Sequence, residues 1–89
     1  MTKDSVLIVN KLGLHARAAA KLVGLAGRFE SVIKIAKDKR EVDGKSIMSV
    51  MMLAASKGTE IDLIIDGNDE QEAMEAIKLL IADRFGEEE

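Results

Sequence analysis

The chain contains no cysteine, no proline, no tryptophan and no tyrosine, and two phenylalanines are its only aromatic residues. Without cysteine, disulfides, zinc–thiolate centres and thiol catalysis are excluded. The same absence is compatible with the cytoplasm, where the protein is expected to reside. Without proline, a stiff Pro-rich linker is excluded. The formal net charge is −3, from 13 basic and 16 acidic residues. That balance, with so few aromatic rings, disfavours nucleic-acid binding, which needs a basic face or stacking platforms. No apolar run approaches the ~18–20 residues of a membrane span, so none is expected. The opening MTKDSVLIVN lacks the apolar stretch of a secretory signal. There is a single histidine, His15. One histidine with no cysteine supplies too few ligands of the usual kind for a metal site, and no metal is expected.

What remains is a mixed-charge, 47% apolar chain of 89 residues. It is read as one domain over 1–89, with residues 86–89 as a frayed acidic end. A domain of this size buries only about 60–65% of the surface its unfolded chain exposes. Ser5 to Val9 reads as a first strand, and Ala16 to Gly27 as a helix with apolar residues at Ala19, Leu22, Val23 and Ala26. Phe29 is placed just beyond that helix as a core anchor. Ser31 to Ala36 and Arg40 to Asp43 read as further strands, Ser46 to Ala54 as a short apolar helix, and Glu60 to Asp66 as the clearest strand. In that strand Ile61, Leu63 and Ile65 alternate with Asp62, Ile64 and Asp66, which predicts one covered and one wet face. Asp69, followed by Glu72, reads as a capping box opening a last helix. Its buried stripe is Ala73, Met74, Ile77, Leu80, Ile81 and Phe85. The order β-α-β-β-α-β-α argues for an α+β fold, a small sheet, mostly antiparallel, with helices on one face.

The stretch GLHAR, Gly13 to Arg17, concentrates chemistry. A lone histidine is ordinarily a surface or structural residue, but these neighbours are unusual. Gly13 permits an uncommon backbone angle. Ala16 opens a helix whose free N–H groups and positive dipole end favour an anion, phosphate above all. Arg17 adds a guanidinium fork suited to phosphate oxygens. The same field disfavours imidazolium, leaving the ring neutral and nucleophilic. His15 is therefore a candidate phosphoryl acceptor, with Arg17 and the Ala16 backbone N–H as phosphate stabilisers. A Ser–His–Asp triad would need a substrate pocket for which so small a chain has little room.

A second candidate is Ser46 in DGKSIMSVMMLAASKG. Its ordinary role is to cap the helix that follows. A hydroxyl there can also take a phosphoryl group, whose charge the helix start tolerates. In that helix Val50, Leu53 and Met52 can face the sheet, while Ile47, Met48 and Met51 cannot all join them. Those three form a candidate docking patch, since methionine adapts to several partners. Asp62, Asp66, Asp69 and Glu70 lack the spacing of a calcium loop. Lys21, Lys45 and Lys57 read as solvated surface charge.

NKLGLHARAAAKLV around His15, DGKSIMSVMMLAASKG around Ser46 and the ending from EIDLIIDG together resemble the HPr family, the histidine phosphocarrier proteins of the bacterial sugar phosphotransferase system. The resemblance spans nearly the whole chain. It implies an open-faced sandwich, a four-stranded antiparallel sheet covered on one face by three helices. It implies a carrier, not an enzyme, needing no cofactor. His15 would take a phosphoryl group on Nδ1 from phosphorylated enzyme I and pass it to an enzyme IIA component, steadied by Arg17 and the N–H groups of Ala16 and Arg17. It further implies Ser46 as a target of an HPr kinase/phosphorylase, whose action weakens acceptance at His15. The protein is expected to be a monomer.

Two positions depart from the pattern. The family often carries proline where this chain has Ala18, which predicts a looser helix start. Leu12 stands where sugar-system members often have a small polar residue, and with Asn10-Lys11 it is similar to the nitrogen-related branch. The run Lys45-Ser46-Ile47-Met48 is similar to the kinase-regulated branch instead. The alternatives are nitrogen-related phosphotransfer, a regulatory domain binding partners through the same surface, and, more distantly, a small-molecule-binding domain.

Overall fold

The strand Glu60–Asp66 (β4) organises the sheet, because every second side chain in it is apolar. The computed structural model describes all residues, Met1–Glu89. The other strands are Thr2–Leu7 (β1), Val32–Lys37 (β2) and Arg40–Asp43 (β3). The sheet order is β1-β4-β2-β3 and every neighbouring pair is antiparallel. β1 and β2 thus run parallel to one another with β4 inserted between them, a split β-α-β arrangement. In the register Val6 faces Ile61, Ile33 faces Ile65 and Ile35 faces Leu63. Ile61, Leu63 and Ile65 are buried as the alternation predicts, while Asp66 and Val32 reach solvent on the open face.

Three helices cover the other face: Ala16–Ala26 (α1), Ile47–Met52 (α2) and Glu70–Ala82 (α3). α1 buries Ala18, Ala19, Leu22 and Ala26, and three of these four are alanines, which lets its backbone sit close on the sheet. α3 buries Ala73, Met74, Ile77 and Ile81 at helical spacing. One cluster of 19 buried residues joins sheet and helices, so the chain has a single core. Each fully buried isoleucine in it contributes on the order of 1.5–3 kcal/mol.

Several elements depart from the sequence reading. β1 begins at Thr2 and ends at Leu7, not at Ser5 to Val9. It is an edge strand with mostly exposed side chains, so it carries no apolar alternation to mark it. Ile8 instead bonds to the loop before β4, with its N–H on Thr59 O and its carbonyl accepting from Gly58 N. β2 lies one residue later than expected, at Val32–Lys37. α2 is shorter than expected, and Met52 is 58% exposed, not packed on the sheet. Phe85 is fully buried but lies beyond α3, in a short turn over Arg84–Gly86.

The cap at Asp69 also differs. Its side chain makes no bond to the first turn of α3. The carboxylate accepts from Glu30 N, Ser31 N and Ser31 Oγ, at 2.9, 3.0 and 2.5 Å. Three donors from the loop before β2 outcompete the helix's own N–H groups, and the tie holds its carboxyl below the ordinary range, Ser31 being the largest cause. Glu70 supplies the local closure, accepting from Gly67 N at 3.2 Å.

Candidate functional site

The site begins with a braced loop between β1 and α1. Asn10 is fully buried and donates from Nδ2 to Gly13 O at 2.8 Å, closing a turn that Gly13 N completes by donating to Asn10 O at 3.2 Å. Gly13 has φ +66°, and a Cβ there would meet Ala55 O at 2.5 Å. Both facts require glycine, as the sequence suggested. Leu14 is buried as an anchor, and its N–H donates to Ala55 O at 2.8 Å. The loop is thereby fixed against the segment that follows α2.

His15 leaves this loop as the N-cap of α1, in extended conformation with φ −74° and ψ 178°. Its carbonyl accepts from Ala19 N at 2.8 Å, but its side chain makes no cap bond. The N–H groups of Ala16, Arg17 and Ala18 therefore end the helix without a carbonyl partner, and the positive dipole end lies at the imidazole. The side chain of His15 is 27% exposed. It lines an open surface depression together with Leu12, Ala16, Arg17, Lys11 and Lys21. Arg17 is exposed and forms no salt bridge. The structure thus brings His15, Ala16 and Arg17 to one concavity. Ala18, at the position expected to loosen the helix start for want of proline, is fully buried, and α1 is helical from Ala16 onward.

The acidic end, expected to fray, lies along the same depression. Glu87 Oε2 is 2.5 Å from His15 Nε2, and Glu87 Oε1 accepts from Asn10 Nδ2 at 3.0 Å. These bonds hold the Glu87 carboxyl below the ordinary range, His15 being the largest cause and Asn10 the next. Lys11 N donates to Glu89 O at 2.5 Å, and its ammonium pairs with Glu89 at 3.3 Å. Asn10, Lys21 and Glu87 are site residues that sequence reasoning missed. Lys21 is no free charge, since its ammonium donates to Phe85 O at 2.6 Å. Lys45 is likewise engaged, donating to Phe29 O at 2.7 Å.

Ser46 caps α2 as the sequence predicts: its hydroxyl accepts from Ser49 N at 3.4 Å. Val50 and Leu53 are buried beneath, while Ile47, Met48, Met51 and Met52 are exposed, Met48 at 72%. α2 packs against α1, and the loop carrying Leu12, 66% exposed, meets the chain just past α2 at Ala55. No group of three or more His, Cys, Asp or Glu side chains is placed to hold a metal ion. No helix is long and apolar enough to cross a membrane.

This geometry has counterparts among known proteins. A family model described as the HPr component phosphorylation site of the phosphotransferase system matches residues 2–83. The phosphocarrier protein HPr of Cupriavidus necator is 58% identical over 89 residues, covering 100% of both chains. The crystal structure of HPr-C-His from Thermoanaerobacter tengcongensis superposes with a TM-score of 0.96, at 45% identity and with both chains fully covered. A crystal structure of an HPr dimer from the same organism gives a TM-score of 0.79 at 45% identity, covering 98% of this chain and 100% of that one. With the open four-stranded sheet, the three covering helices and a histidine at the start of α1, the chain belongs to the HPr family of phosphocarrier proteins of the phosphotransferase system.

Proposed function

We propose that His15 accepts a phosphoryl group from phosphorylated enzyme I and passes it to an enzyme IIA component. The observation that carries this reading is the position of His15: a partly exposed imidazole on the N-terminus of α1, in an open depression shared with the unpaired Arg17. On acceptance, the Nδ1 lone pair forms the N–P bond while the bond from phosphorus to the donor atom breaks with its electron pair. On delivery the N–P bond breaks and its pair returns to Nδ1. The free N–H groups at Ala16 and Arg17 and the guanidinium of Arg17 stabilise the dianion. A carrier needs no deep pocket, because each partner completes the site in turn. The chain acts as a substrate of transferases without a cofactor, in the cytoplasm, and as a monomer.

Partners dock on the apolar surface of Ile47, Met48 and Met51, with Leu12 beside the site. Nitrogen-related phosphotransfer or purely regulatory binding would use the same surface; Leu12, exposed beside the site, is similar to the nitrogen-related branch, while His15 and Arg17 together argue against a purely regulatory role. Ser46 is a regulatory phosphorylation target of an HPr kinase/phosphorylase. A phosphate there adds negative charge beside the docking patch and leaves the helix start intact. Ser46→Asp is expected to slow acceptance at His15 with the domain still folded, and an unchanged rate counts against the inhibitory role. The direct test is incubation with enzyme I and phosphoenolpyruvate, followed by intact mass and acid-lability measurement. One acid-labile phosphoryl group, lost in His15→Ala, is expected; labelling that persists in that variant rejects the reading.

A further inference from the structure

Residues 84–89 play no part in the carrier chemistry described above, yet Phe85 and Glu87 are tied to the rest of the fold. Arg84, Phe85 and Gly86 have φ of 56°, 55° and 79°, so three successive left-handed residues turn the chain back from α3. Two of them carry side chains that disfavour this conformation. The turn is held by the fully buried Phe85 ring and by the Lys21 ammonium on the Phe85 carbonyl, which ties it to α1.

The turn delivers the Glu87 carboxylate to two groups, His15 Nε2 and Asn10 Nδ2. Asn10 spends both of its N–H donors, on Gly13 O and Glu87, and its buried Oδ1 is left with no partner. An unpaired buried acceptor is costly, so the amide is oriented by what its donors hold. The Glu87 side chain is only 15% exposed.

We propose that Glu87 is a positioning residue for phosphoryl transfer, holding His15 in the tautomer protonated on Nε2 so that the Nδ1 lone pair is the nucleophile. The inference rests on His15 being the phosphoryl acceptor. An ionised carboxylate only accepts, so the contact requires a proton on Nε2. In a neutral ring the other nitrogen then carries the lone pair. As the N–P bond forms on Nδ1, the bond from phosphorus to the donor breaks with its electron pair and the proton stays on Nε2. The ring becomes a cation facing the Glu87 carboxylate, which stabilises it as the aspartate of a hydrolase triad stabilises its imidazolium. Delivery to the next partner reverses these steps.

The test uses the full chain with isotope-labelled histidine, as wild type, Glu87→Gln and Glu87→Ala. Ring-nitrogen NMR of the neutral imidazole reads the tautomer, and initial rates with enzyme I and phosphoenolpyruvate read the transfer. Wild type is expected to be dominated by the Nε2–H form. Glu87→Ala is expected to show a mixed tautomer population and acceptance slowed about tenfold, the order expected for one charge-assisted hydrogen bond. Glu87→Gln, which keeps an acceptor oxygen without the charge, is expected to fall between. An unchanged tautomer population and rate in Glu87→Ala, or a faster rate, overturns the proposal. If wild type takes no label on His15 the carrier reading fails instead, while the ring spectra still decide whether Glu87 sets the tautomer.

Discussion

α1 and α2 both begin on a polar side chain, but the two starts are built oppositely. Ser46 turns its hydroxyl inward and caps its own helix through Ser49 N. His15 makes no cap bond, and its ring is held from across the fold by Glu87. The first arrangement spends the side chain on the helix. The second leaves the first-turn N–H groups and one ring nitrogen uncommitted. A helix start is thus a stability device or a chemical one according to where its side chain is committed.

The sharpest break of this comparison exchanges the two roles by alanine substitution. His15→Ala is expected to abolish phosphoryl acceptance while removing no cap bond, and Ser46→Ala to retain acceptance. Labelling by enzyme I with circular dichroism checks both. Phe85→Ala is expected to cost about 3–5 kcal/mol by denaturant unfolding, as a buried aromatic ring is lost from the core. It also releases the segment that carries Glu87, so the His15 ring signals shift even where the protein stays folded. Ser46→Ala itself is expected to cost about 0.5–1 kcal/mol, because its cap bond is long.

The smallest effect is a pH dependence at the start of the third helix. Asp69 is held below its ordinary value of 3.8, chiefly by Ser31. Its contribution is therefore present above that value and lost as pH falls through the lowered folded value. Ser31→Ala is expected to flatten this part of the acid unfolding curve and leave the neutral range unaltered in slope. A slope unaffected by Ser31→Ala would show that Asp69 is not its source.

The turn at Gly13, the helix start at His15 and the cap at Ser46 were legible in the sequence because each is set by its immediate neighbours. β4 was legible to the residue, since both of its faces are defined by alternation. β1 was not, because an edge strand with exposed side chains leaves the ladder to be set by β4. Asp69 was read as a cap because Glu72 follows at the right spacing. The donors that claim it, Glu30 N and Ser31, lie far away in sequence. The hold on His15 was hidden for the same reason. Asn10 and Glu87 are separated by most of the chain, and the left-handed turn that joins them begins at Arg84 and Phe85, whose side chains do not announce a positive φ, before Gly86 completes it.

The central claim is that phosphoryl chemistry resides on one nitrogen of one ring. Phosphorus and nitrogen NMR of the product formed with enzyme I and phosphoenolpyruvate tests it most directly. A single acid-labile N–P bond at Nδ1 of His15, with the proton retained on Nε2, is the predicted result. A phosphoryl group on Nε2, on Ser46 or in any acid-stable linkage formed by that donor would contradict the account.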